Sequence, residues 1–169
     1  MLPSLVLAAL IGPSQTGLAT IRYDVAPPNF AITIARKPTY LSALRGRVVV
    51  LDFWASWCHV CTAEMDDFVR AQALYGDRVA VVTISNEDPG IAEHYFAAMH
   101  VDLPVVDDPT GAIERLYSIG PIPDTLVLDP AGVVTYVSVG GLNWNELQTA
   151  IEQAQARATA GTPTERVLQ

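Results

Sequence analysis

The sequence predicts one α/β domain in which a mixed β-sheet is covered by helices on both faces. Three observations predict it. Two apolar runs rich in β-branched residues, VVVLDFWA (Val48–Ala55) and RVAVVTIS (Arg78–Ser85), are too short for buried helices and read as strands covered on both sides. Each is followed by a segment of helical composition, and strand–helix–strand units close with right-handed crossovers around a parallel core. Near the end, Asp129-Pro130-Ala131-Gly132 separates two further strand-like runs. That turn joins antiparallel neighbours, so the sheet is mixed and the domain has three layers.

Taken in order, Leu2–Ile11 (LPSLVLAALI) is an apolar run of export-signal length, too short to span a bilayer. Gly17-Leu18-Ala19 offers a small-x-small cleavage site, but no Lys or Arg precedes Arg22. Residues 1–25 are therefore expected to be a leader, either an export signal or a buried or disordered apolar segment or a mis-set start, with 26–158 the domain and 159–169 a loose polar tail. Phe30–Ala35 alternates as a short strand, and Thr39–Leu44 reads as a turn or helical piece before Gly46. Cys58–Tyr75 has helical composition with a rough stripe of Val60, Met65, Phe68, Val69 and Leu74, and Gly76 stops it. A second helix runs from Asp88-Pro89 to about His100. Val105-Val106 is a short extended piece, and Pro109–Tyr117 a short helix. Thr125–Leu128 and Val133–Val139 are the closing strands. Asn143 or Asn145 caps a last helix to about Ala158.

Half of the 169 residues are hydrophobic and 17% are charged, which excludes global disorder and allows a sizeable core. The formal net charge of -8 argues against nucleic acid or an anionic membrane surface as the main partner. After the leader, no apolar run is long enough for a transmembrane helix.

The only two cysteines, Cys58 and Cys61, sit in FWASWCHVCTAE. A C-x-x-C beside a strand–helix–strand pattern points to thiol redox chemistry. Cys58 falls where a buried strand ends and a helix begins, and free N–H groups with the positive helix end favour its thiolate. Cys61 follows one turn later, within reach of a mixed disulfide formed at Cys58. Other uses of the thiols stay open. A structural zinc site wants four ligands, and only His59, His94 and His100 are there to help. Cu(I) would accept two thiolates with His59 or a methionine nearby. A passive disulfide closing so small a loop adds little chain-entropy stabilisation.

On FWASWCHVCTAE the chain resembles the thioredoxin superfamily, and within it the exported TlpA/ResA-type thiol–disulfide oxidoreductases, which include proteins of cytochrome c maturation. Phe53, Trp54, Ala55, Ser56, Trp57, Cys58, Cys61 and Glu64 match that pattern. The upstream APPNFAITIARKPTYLSALRGRVVVLDFW and the downstream GPIPDTLVLDPAGVV are similar to its flanking segments, so the likeness runs from about Ala26 to Leu147. Two positions depart from it: Val60 and Asp66 stand where the family has prolines. The residues between the cysteines tune the couple, so these departures bear on potential and partner rather than on fold.

The resemblance implies a thioredoxin-like fold, no cofactor beyond a redox-active Cys58–Cys61 disulfide, and no metal. It implies a monomer outside the cytoplasm, drawing on an upstream electron donor and acting, as a reductant, on cysteine pairs of partner proteins. Cys58 attacks and Cys61 resolves. Asp52, a carboxylate inside VVVLDFW, resembles the proton acceptor of thioredoxins; otherwise it is a polar residue at a strand end. Glu64 either assists proton transfer or is a solvated helix carboxylate. His59 either stabilises the Cys58 thiolate when protonated or points to solvent. Trp54 and Trp57 pack beside the thiols or in the core. Pro123 is cis by resemblance, or an ordinary turn proline. With Ile122, whose backbone is free to pair with an extended peptide, Trp57 and His59, it makes the expected partner-binding surface. His94 and His100 are read as surface residues. Two other activities compete: a Cu(I)-binding or metallocentre assembly factor using the same cysteines, and a peroxidase of the peroxiredoxin kind, whose usual threonine place is taken by Ala55.

Overall fold

A computed structural model describes residues 24–34 and 37–159. Its centre is a five-stranded sheet of β3 (Val48–Trp54), β4 (Val79–Ser85), β5 (Val105–Asp107), β6 (Asp124–Leu128) and β7 (Val134–Val139), in the order β5-β4-β3-β6-β7. β3 runs parallel to β4, and β4 to β5, while β6 and β7 are antiparallel. Ala31–Ile34 (β1) and Lys37–Tyr40 (β2) form a separate antiparallel hairpin.

Every residue of β3 and β4 is buried, as two-sided apolar strands require. Successive side chains alternate between the faces. Val48, Val50 and Trp54 pack against α1 (His59–Tyr75), α2 (Ile91–Met99) and α4 (Trp144–Thr159). Val49, Leu51 and Phe53 pack on the other face against α3 (Ala112–Tyr117), Phe30 and the 3-10 turn Leu41–Leu44. A slip of one residue would exchange all of these, so burial on both faces pins the register. Asp52 has the parity of Val50 and Trp54 and therefore belongs to the α1 face. The order also puts the C-terminal end of β3 at the centre of one sheet edge, where β3 hands over to α1.

The structure differs from the sequence expectations in places with physical causes. The expected turn at Thr39–Leu44 begins as β2, which tolerates Pro38 because it pairs only within a two-stranded hairpin. Ala35, at the end of the predicted first strand, lies outside the described residues. On α1 the buried line is Cys61, Glu64, Met65, Phe68, Ala71 and Tyr75. Val60 and Leu74 each sit one residue, about 100° of helix, off that line and are 55% exposed. Asn143 caps α4: its Oδ1 accepts from the N–H of Asn145 and Glu146, while the Glu146 carboxylate accepts the Asn143 N–H. Asp24 and Val25, assigned to the leader, exchange backbone bonds with Val134 at the start of β7. The rest of the predicted leader and the predicted tail beyond Thr159 lie outside the described residues. Among the described residues, no helix is long and apolar enough to cross a membrane.

β5 pairs with β4 only from Thr83 onward, which leaves the first half of that edge without a strand. The side chain of Gln72, on α1, takes the strand's place. Its Nε2 donates to the Val79 carbonyl and its Oε1 accepts the Val81 N–H, both at 3.1 Å. Val79 and Val81 are fully or almost fully buried, so losing these bonds strands polar groups. Gln72→Ala is expected to lower the unfolding free energy by about 1–3 kcal/mol, read as a drop in urea midpoint at unchanged slope.

Candidate active site

Cys58 is the N-cap of α1 and is bonded to Cys61 in a disulfide, with the Cα atoms 5.3 Å apart. The chain leaves β3 at Trp54, and the Cys58 N–H donates to the Ala55 carbonyl at 3.0 Å, closing a tight turn into the helix. Cys58 Sγ accepts the Cys61 N–H at 3.2 Å. That donor is one of the free N–H groups of a helix start, and with the positive helix end it favours a thiolate on Cys58. Cys58 keeps 8% exposure and Cys61 none. One sulfur therefore meets a partner first, and the other is held behind it.

The turn before Cys58 is held by a residue the sequence analysis did not single out. The Glu87 carboxylate accepts from the Ser56 N–H at 2.8 Å, the Ser56 hydroxyl at 2.7 Å and the Ser85 hydroxyl at 3.1 Å. Charge-assisted bonds of this kind are the stronger ones. They tie the loop after β4 to the loop that presents Trp57 and Cys58. Only the match of Ser56 to the family pattern hinted that this position mattered.

Two buried carboxylates sit on the elements that meet at the disulfide, Asp52 on β3 and Glu64 on α1. Asp52 is fully buried; its Oδ1 accepts from the Thr125 hydroxyl at 3.1 Å, and its Oδ2 accepts nothing among the described residues. Burial first, and then the nearby charge of Glu64, push its pKa well above the usual carboxylate range. Glu64 is 4% exposed, not a solvated helix carboxylate. Its Oε2 accepts the Leu142 N–H at 2.8 Å, and its Oε1 accepts nothing among the described residues. Burial raises its pKa to about 7, with Asp67 adding to the rise. Asp124, next to Pro123, is buried as well; burial raises its pKa, and its Oδ2 accepts the Gly120 N–H at 3.2 Å.

The Ile122–Pro123 bond is cis, and the Pro123 carbonyl accepts the Gly140 N–H at 2.8 Å. This joins the expected partner-binding loop to the β7–α4 loop, whose glycines the sequence analysis passed over. Gly141 has φ +98°, and a Cβ there would meet Val60 at 3.0 Å and Glu64 and Pro123 at 3.6 Å. The positive φ favours glycine, and the close approach to Val60 adds to that preference. Trp57 is 67% exposed, His59 is exposed and Ile122 half-buried. Trp54 is instead wholly buried, stacked on Phe96 at 4.6 Å between ring centroids. His94 and His100 are exposed on and just after α2. Among the described residues there is no group of three or more His, Cys, Asp or Glu side chains placed to hold a metal ion.

The family model described as "AhpC/TSA family" matches residues 24–137, and the chain belongs to that family. It is 28% identical to the thiol-disulfide oxidoreductase ResA of Oceanobacillus iheyensis, over 88% of this chain and 81% of that one. A crystal structure from Chlorobium tepidum, assigned as a thiol:disulfide interchange protein DsbE, superposes with a TM-score of 0.73 at 29% identity, covering 80% of this chain and 99% of that one. An exposed lipoprotein thioredoxin of Streptococcus pneumoniae superposes with a TM-score of 0.61 at 28% identity, covering 74% and 99%. The chain is thus a TlpA/ResA-like member of the thioredoxin superfamily, with the thioredoxin-like fold, and an oxidoreductase.

The raised Glu64 pKa fixes a sign. Between about 4.5 and about 7, folded Glu64 keeps a proton that the unfolded chain has released. Its contribution to stability is full below about 4.5 and is lost as pH rises through about 7. The unfolding free energy of the oxidised wild type, relative to Glu64→Gln, should fall by on the order of 1–2 kcal/mol across that window, allowing for screening by solvent. Urea unfolding at several pH values checks this; parallel pH curves for the two proteins would refute it.

Proposed function

We propose that the protein reduces disulfides of partner proteins through its Cys58–Cys61 pair, outside the cytoplasm. The observation that carries this reading is the asymmetry of the pair. Cys58 is partly exposed at a helix N-terminus, and Cys61 is fully buried one turn behind it. Cys58 as thiolate attacks a partner disulfide and forms a mixed disulfide, releasing one partner thiolate. Cys61, deprotonated by Asp52, then attacks the Cys58 sulfur and releases the second. Glu64 assists that proton transfer. Trp57 and His59 border the approaching chain, and Ile122 and Pro123 hold it in extended form. The names of the relatives, oxidoreductase and interchange protein, support disulfide exchange over Cu(I) handling. The Streptococcus pneumoniae neighbour is an exposed lipoprotein, which supports the location. A peroxidase would need a hydroxyl where buried Ala55 stands.

The test is trapping. Reduced Cys61→Ser, mixed with a disulfide-bonded protein such as insulin, should accumulate a covalent adduct on Cys58 that dithiothreitol releases. Cys58→Ser should give at least about 100-fold less, because its remaining thiol is buried and has no helix-end stabilisation. Equal adducts on both variants, or none on either, would contradict the proposal.

A further inference from the structure

We propose that Glu87 holds the couple on the reducing side: its carboxylate, bonded to the peptide that leads into Cys58, opposes the Cys58 thiolate and so favours the disulfide form. The proposal rests on the exchange reading above and supplies a cause for its direction. Reducing the disulfide puts two electrons on the sulfurs. With one proton taken up at Cys61, it leaves Cys58 as a thiolate. Whatever disfavours that thiolate lowers the potential, and the reduced protein then passes its electrons on more readily.

Three features point to Glu87. First, the Ala55–Ser56 peptide is gripped at both ends. Its N–H donates to Glu87 Oε2 at 2.8 Å, and its carbonyl accepts the Cys58 N–H at 3.0 Å. The peptide dipole therefore turns its negative oxygen toward Cys58, and the carboxylate behind it strengthens that polarity. One peptide group and two hydrogen bonds put the carboxylate within about 9 Å of the Cys58 nitrogen. Second, the carboxylate is fixed. Its Oε1 accepts the Ser56 hydroxyl at 2.7 Å and its Oε2 the Ser85 hydroxyl at 3.1 Å, while the Glu87 N–H donates to Ser85 Oγ at 3.3 Å. Ser85 is buried at the end of β4, in register with Trp54 at the end of β3. A carboxylate tied there does not swing out to solvent when Cys58 ionises. Third, no cation answers it. Among the described residues the ion pairs are those of Arg157, and Glu87 is in none. Burial pushes Asp52, Glu64 and Asp124 toward their neutral forms, and His59 and Asp88 are exposed. Glu87 thus works against the helix start, which favours the thiolate.

The experiment compares redox equilibria. Wild type, Glu87→Gln, Glu87→Ala and Ser56→Ala are equilibrated in dithiothreitol or glutathione buffers at pH 7 and pH 8 and read by tryptophan fluorescence. Urea unfolding of each oxidised protein shows that it is folded. Glu87→Gln removes the charge at nearly constant shape. Glu87→Ala lets water reach the half-buried site and serve the freed donors. Ser56→Ala drops one bond and keeps the charge. The equilibrium constant for reduction should rise at least about threefold in both Glu87 variants at pH 7, which is about 14 mV. The rise should be larger at pH 8, where more of Cys58 is ionised. In Ser56→Ala the constant should stay within about twofold of wild type. The pH midpoint for alkylation of Cys58 by iodoacetamide should fall in both Glu87 variants. Each value is read as a difference from wild type, so titration of Asp52, Glu64, Asp124 and His59 largely cancels. An unchanged or lowered constant in the Glu87 variants, a shift that does not grow with pH, or an equal shift in Ser56→Ala would overturn the proposal. A wild type with no reversible couple at all would instead overturn the exchange reading beneath it.

Discussion

Asp52 carries a carboxylate into the middle of an apolar strand, and the arrangement of the site follows from that burial. An isolated buried charge costs several kcal/mol. The fold answers with one hydroxyl, that of Thr125 on the adjacent strand β6, and otherwise leaves the carboxyl with a raised proton affinity. The apolar neighbours on both sides pin the register, so the carboxyl cannot turn to the opposite face without burying Val49, Leu51 and Phe53 wrongly. It is thereby fixed beneath α1, the helix whose first turn holds the disulfide.

What the helix start does for Cys58, the surrounding loops keep in place. Glu87 fastens the turn before the cysteine to the end of β4. The β7–α4 loop holds Glu64 through the Leu142 N–H and holds Pro123 through the Gly140 N–H. One loop thus supports both a candidate acid–base group and the candidate partner-binding proline. Val60 lies close to Gly141, where an added Cβ would press on its side chain at 3.0 Å.

Much of this was legible in the sequence. The unbroken apolar character of β3 and β4 announced two-sided burial, and the C-x-x-C at a strand–helix junction announced its chemistry. Helix phase was less legible: Val60 and Leu74 look like core residues until Cys61 and Glu64 are known to face inward. β2 was hidden by Pro38, because a hairpin apart from the main sheet does not need the donor that proline lacks. Glu87 and Gly141 were hidden for a different reason. Each acts across a long stretch of chain, on Ser56 and on Val60 and Glu64, and no local pattern records such a meeting. The depth of Glu64 was likewise a matter of tertiary packing, since a glutamate on a helix is usually solvated.

The most direct measurement is the reduction potential of the Cys58–Cys61 couple at pH 7, followed by tryptophan fluorescence in dithiothreitol or glutathione buffers. Trp54 packs in the same buried cluster as both cysteines and Trp57 immediately precedes Cys58, so the signal should report the couple. The account predicts a reversible two-electron transition near the thioredoxin value of about -270 mV. A value near about -120 mV would make the protein an oxidant, and the absence of any reversible transition would remove the redox function altogether.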